Sequence, residues 1–142
     1  MAYCTQAQLI ERFGTNFLIE LSDRGDEAAT EIDTDLITRA ITDADAMIDG
    51  YLKPIYALPL DSTPDQITDL SLTIAIYKAH GNVVSDKIKE DYKTALMQLK
   101  DIGAGRAKLD VAGVEPEGSG SSEVITNEKD QVMTADTLKG FI

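Results

Sequence analysis

A chain of 142 residues that is 43% hydrophobic and 27% charged suits one globular domain with a modest single core, not a disordered tail. Its formal net charge of −12 repels nucleic acid and anionic lipid by default, which excludes a basic nucleic-acid reader but not a protein that faces DNA without holding it. There is no run of about 18 apolar residues to span a membrane. No basic-then-apolar leader opens the chain, and one cysteine, Cys4, allows no internal disulfide and fits a reducing compartment.

In chain order, Thr5 followed by Gln8 predicts a capping box. Leu9, Ile10 and Phe13 then form an apolar stripe, and Gly14 can end the turn. Asn16 is a candidate cap for a short second piece, FLIEL, and SDRGDEAATE reads as a polar loop. The clearest helix runs from about Asp35 to Leu52, capped by Asp33 or Thr34. Its apolar positions include Leu36, Ile37, Ala40, Ile41, Ala44, Met47, Ile48, Tyr51 and Leu52, one wide core-facing stripe. Thr38, Asp45 and Asp49 are assigned to its outer face.

The stretch IDGYLKPIYALPL that ends this helix holds unusual apolar and aromatic surface for a connection. Pro54 and Pro59 fix extended geometry. Ile55, Tyr56 and Leu58 are therefore expected to fold over the flanking helices, with the tyrosine ring inside and its hydroxyl wet. The connection exceeds the usual helix–helix length, so part of it is a candidate for presentation to a neighbour. Thr63-Pro64-Asp65 signals the next helix start, with proline at the first helical position. The segment after it is ambiguous: Leu70, Leu72, Ile74 and Ile76 alternate like a strand, while Ile67, Leu70, Ile74 and Tyr77 recur like a helix. The start signal and the length to about His80 favour a central helix, apolar nearly all round.

Ser85-Asp86 opens a third long helix, with Ile88, Tyr92, Ala95, Leu96, Leu99 and Ile102 on its stripe and Gly103 as its stop. Ala107, Leu109 and Val111 allow a short strand. At GVEPEGSGSS the composition turns linker-like. The expected division is a helical domain over 1–112, a flexible linker over 113–122 and a docking tail over 123–142. The tail ends in Leu138, Phe141 and Ile142, apolar side chains that need cover, either on their own domain or on a partner. The fold class expected is mainly α: three longer helices in a small bundle, short N-terminal helices and an extended tail.

The chain offers no catalytic constellation. His80 is the only histidine and suits a helix C-terminus; Cys4 is placed in a surface segment, and a Cys–His pair is the weaker alternative. One histidine and one cysteine are too few for zinc. Asp23 to Glu27 lacks a calcium-loop pattern, and Asp43 and Asp45 point about 200° apart on a helix. GAGRAK lacks the spacing of a phosphate loop, and Arg24-Gly25-Asp26 reads as a coincidental adhesion tripeptide. No cofactor and no metal are expected, and the protein is read as a non-enzyme.

Taken together, AYCTQAQLIERFG, the helix ending in IDGYL before YALPL, LSLTIAIYKAH and DYKTALMQLKDIGAG resemble the Mu-like phage and prophage head–tail connector family over residues 1 to about 111. The closing TLKGFI also resembles that family's C-terminal end. The resemblance implies a virion neck protein: a ring below the portal, expected to be dodecameric, that extends the DNA channel and carries a stopper or tail-completion protein. The genome would pass through its lumen without sequence-specific binding, and the chain would stay in host cytoplasm until assembly. Candidate partner-binding residues are Tyr51, Ile55, Tyr56, Leu58, Leu138, Phe141 and Ile142. The competing class is an acidic phage-encoded regulator, a DNA mimic or inhibitor of a host enzyme.

Overall fold

The thirteen-residue N-terminal stretch already sets the pattern of the molecule, a helix held by its own side chains and pinned to a distant one. The computed structural model describes residues 2–25 and 27–109. Helix α1 covers Gln6–Phe13. Its capping box forms: the Gln8 N–H donates to Thr5 Oγ1 at 3.2 Å, and the Thr5 N–H to Gln8 Oε1 at 2.9 Å. Helix α2, Thr15–Ser22, comes next with only Gly14 between them. Gly14 has φ of 92°, a left-handed value that glycine adopts without a Cβ penalty. Asn16 therefore lies within the first turn of α2 and not at its cap.

Helix α3 covers Thr34–Leu52, and Asp33 caps it by accepting from the Leu36 N–H at 3.2 Å. Helix α4 covers Asp65–Ala79. Pro64 is its N-cap, not its first helical residue, and Thr63 supplies no cap bond; the Pro64 carbonyl instead accepts from the Thr68 N–H at 3.2 Å. Ile67, Leu70, Ser71, Leu72, Ile74, Ala75, Ile76 and Ala79 are all buried, so α4 is the central helix. Helix α5 covers Asp86–Gly103, with Ser85 Oγ accepting from the Ile88 N–H.

Helix α4 packs most extensively on α3, then on α5, and α3 also meets α5. The aromatic seam between α4 and α5 is a stacked pair, Tyr77 on Tyr92, 3.8 Å between centroids and 6° between planes. Helix α1 pairs with α2 and lies against α4. A cation closes the C-terminal end of α4, where the Arg24 guanidinium donates to the Ala79 carbonyl. That is the favourable sign for a helix dipole, and it occupies the arginine of the apparent adhesion tripeptide; Asp26 lies outside the described residues.

Gly103 is the last residue of α5, as expected, but it is not the left-handed residue that closes the helix. Its role is proximity: a Cβ there would stand 2.8 Å from the Tyr51 carbonyl oxygen of α3. The stop is Gly105, with φ of 78°, beyond which the Arg106 N–H reaches back to the Asp101 carbonyl at 2.9 Å, a Schellman-type close. Among the described residues there is no strand. Residues 107–109 are instead irregular: the Ala107 N–H reaches back to the Asp101 carbonyl at 3.1 Å, and Leu109 donates its N–H to the Tyr56 hydroxyl at 3.0 Å and not to a strand partner. Val111, the linker over 113–122 and the tail over 123–142 lie outside the described residues.

Candidate partner-binding groove

Tyr56 and Leu60 of the long connection are 3% exposed and seal the core, while Ile55 and Leu58 are half-buried against it. The Leu58–Pro59 peptide is cis. The Tyr56 hydroxyl is not wet: it accepts from Leu109 in a buried setting. So Tyr56 belongs to the core, and of the candidate contact residues in this region Tyr51, Ile55 and Leu58 retain partial exposure. Leu138, Phe141 and Ile142 lie outside the described residues.

A substantial concavity among the described residues lies elsewhere. Four helices build it: the end of α1, the start of α2, one side of α4 and α5 from Lys87 to Gln98. It encloses about 610 Å³. Phe13 and Phe17, 6.1 Å apart between centroids, face Leu70, Ile76, Ile88 and Ala95 across it. Local sequence explains each placement. The Gly14 turn brings Phe13 and Phe17 from two helices to one side, and the i, i+3, i+7 spacing of Asp91, Thr94 and Gln98 sets one polar face of α5 along the opposite lip.

Charge on this rim is balanced. Arg12 reaches Asp69 at 2.7 Å, joining α1 to α4, and Lys87 reaches Asp91 at 2.7 Å along α5. Both pairs are well exposed and each contributes little to stability, about 0–1 kcal/mol. Their consequence is local neutrality in a strongly acidic chain. At the foot of α2, Phe17 meets the His80 ring at 5.8 Å, and His80 Nδ1 lies 2.7 Å from the Ile76 carbonyl. His80 thus finishes α4 as its C-cap.

Behind α4 is a polar cluster that spacing along the chain does not reveal. Cys4 is 2% exposed and not a surface residue, because the segment before α1 turns inward. Ser71, also buried, places its hydroxyl 3.2 Å from Cys4 Sγ and 3.4 Å from Asp45 Oδ1. The Tyr3 N–H donates to Asp45 at 3.1 Å, and the Tyr3 hydroxyl donates to Asp49. Asp45 and Asp49 are therefore half-buried acceptors, not a solvated face; Asp43 is exposed. Burial pushes the Asp45 carboxyl above its usual range, against the pull of its bonds from Tyr3 and Ser71. Burial also raises the Cys4 thiol and the Tyr3 phenol, the latter further through Asp49. Every polar group here has a partner, so the cluster is a lock for the N-terminal segment.

Among the described residues no three His, Cys, Asp or Glu side chains converge as a metal cluster, and no helix is long and apolar enough to cross a membrane.

The sequence matches the family model described as "Bacteriophage Mu, Gp36" over residues 3–127, a span that takes in all five helices. It is 25% identical over 140 residues to the Mu-like prophage FluMu protein gp36 of Haemophilus influenzae, covering 99% of this chain and 98% of that protein. It is 26% identical over 145 residues to gene product J of Escherichia phage Mu, covering the full length of both.

Proposed function

We propose, from the premise that the chain belongs to the bacteriophage Mu Gp36 family, that it is a structural protein of the virion neck, a head–tail connector. In this reading copies of the chain form a ring below the portal protein, dodecameric to match it. The ring extends the DNA channel and offers a platform to a stopper or tail-completion protein. The observation that carries the reading is the family match along the whole helical body, joined to the four ordered segments that resemble connector proteins. The balance of charge supports it. A chain of −12 makes a wall that DNA slides past, whereas a basic wall would hold phosphates through counterion release.

A ring of one repeated chain needs two different patches that meet each time. The half-buried edge of Tyr51, Ile55 and Leu58 is one candidate. The C-terminal segment with Leu138, Phe141 and Ile142 is another, contacting the portal or a neighbouring subunit.

Electron microscopy of lysates from a phage lacking this gene tests the reading. The expected result is DNA-filled or leaking heads beside finished, unattached tails. Normal joined particles would overturn it and turn attention to a free acidic regulator of a host protein. Deleting residues 134–142 is expected to leave a folded body that no longer joins heads to tails.

A further inference from the structure

The groove between α1–α2 and α5 has an apolar floor and a neutral rim, and nothing in the helical body fills it. We propose that in the free protein residues 134–142 of the same chain occupy this groove, with Leu138, Phe141 and Ile142 seated on Phe13, Phe17 and Ile88. This is a contact of the unassembled chain, and it stands or falls separately from the connector reading.

Spacing is the first argument. Leu138, Phe141 and Ile142 recur at i, i+3 and i+4, the pattern of one face of a helical turn. A groove walled by helices takes such a face as its occupant.

Reach is the second. The chain leaves the body at Leu109, just past the C-terminal end of α5. The groove runs back along α5 from Gln98 to Lys87, with Ile88 near its far end. With a rise of about 1.5 Å per residue, Ile88 lies about 22 Å from the end of that helix. The 24 residues from 110 to 133 have a root-mean-square span of about 27 Å if they behave as a flexible coil. A tether whose typical length matches the distance to its site gives nearly the highest local concentration a tether can give, in the millimolar range. Even a weak apolar contact is then occupied within one chain before it is made between chains.

Charge is the third. Arg12, Asp69, Lys87 and Asp91 present two cations and two anions at the lips. The segment's side chains carry one charge of each sign, Asp136 and Lys139, which suits a rim of balanced charge. A strongly acidic or polyanionic ligand finds no such match.

The test uses the full chain. Amide resonances of the isotope-labelled protein are compared with those of Phe141→Asp, a substitution outside the helical body. The expected result is a shift at groove positions such as Thr73, Thr94 and Gln98, unchanged on dilution. Changes confined to the tail would overturn the proposal. Shifts that disappear on dilution would overturn it too, because they mark a contact between copies. A second variant locates the contact: Thr94→Cys with Gly140→Cys should oxidise to an intramolecular disulfide at least about tenfold faster than Thr94→Cys with Ser119→Cys, because docking raises the local concentration of position 140 alone. Equal rates, or cross-linked dimers as the main product, would refute occupancy within one chain.

Discussion

The same substitution in two helices of this protein should have opposite signs. Gly50 lies on the exposed side of α3, and a Cβ there would meet nothing within 4 Å. Gly50→Ala therefore gains helix propensity at no packing cost. Two residues from the helix end the gain is about 0.5 kcal/mol, below the mid-helix value of about 1. At Gly103 the new Cβ would stand 2.8 Å from the Tyr51 carbonyl oxygen, inside the 3.4 Å at which ordinary contact begins. The obstacle is backbone, which cannot rotate away. Helices α3 and α5 must part by about 0.6 Å, and overpacking of that kind costs about 1–3 kcal/mol. Against a propensity gain that is small at the last helical residue, Gly103→Ala should lose about 1–2 kcal/mol. At about 4 °C per kcal/mol for a body of this size, the midpoint falls by about 4–8 °C, while Gly50→Ala rises by about 2 °C. Thermal unfolding followed by far-ultraviolet circular dichroism reads both. A Gly103→Ala midpoint at or above that of the parent would refute the close crossing of α3 and α5.

Tyr56→Phe removes the acceptor of the Leu109 N–H and leaves a buried donor unpaired, so stability measured by urea titration should drop by about 1–3 kcal/mol; an unchanged midpoint would mean that water reaches the site. Ile74→Asp places an unpaired charge at a fully buried position of α4 and should abolish cooperative melting; a normal curve would show that α4 is not the centre of the core. Stability should also fall at alkaline pH. Cys4 and Tyr3 keep their protons in the folded chain to higher pH than in the unfolded one, so above about pH 9 the unfolded state binds fewer protons and gains ground, increasingly so past about pH 10. Tyr3→Phe should flatten the upper part of that loss, and an identical pH profile for the variant would place the alkaline transition elsewhere.

The helices are legible because their signals are local. The Thr5–Gln8 box and the Asp33 and Ser85 caps each lie within three residues of the groups they bind, and the α3 stripe repeats at the helical period. Even the ambiguous run from Leu70 to Ile76 is decided by its start signal at Pro64 and Asp65. The features that escape depend on distance along the chain. Tyr3 finds Asp45 and Asp49 from 42 and 46 positions away, and Cys4 is inside because of that pairing. An aspartate on a helix reads as solvent-facing unless its partner is known. Gly103 resembles a left-handed stop because its reason, the Tyr51 carbonyl, belongs to another helix. The groove draws on four helices at once, so no single segment carries its pattern. The Tyr56 ring sits at the depth its neighbours imply, but its hydroxyl meets protein and not water, since its partner Leu109 is 53 residues away.

The Tyr56–Leu109 contact also decides how the protein bears load. Leu109 is 6% exposed and tied to a side chain that is itself 3% exposed, so the last described residue is clamped to the α3–α4 connection and not left hanging from α5. A pull on the chain beyond it is delivered at Tyr56, into the centre of the body. The final turn of α5, closed at Gly105, is shielded from being peeled open one hydrogen bond at a time. Tension therefore has to break the clamp and its apolar seat together, and the body resists as a unit until they yield.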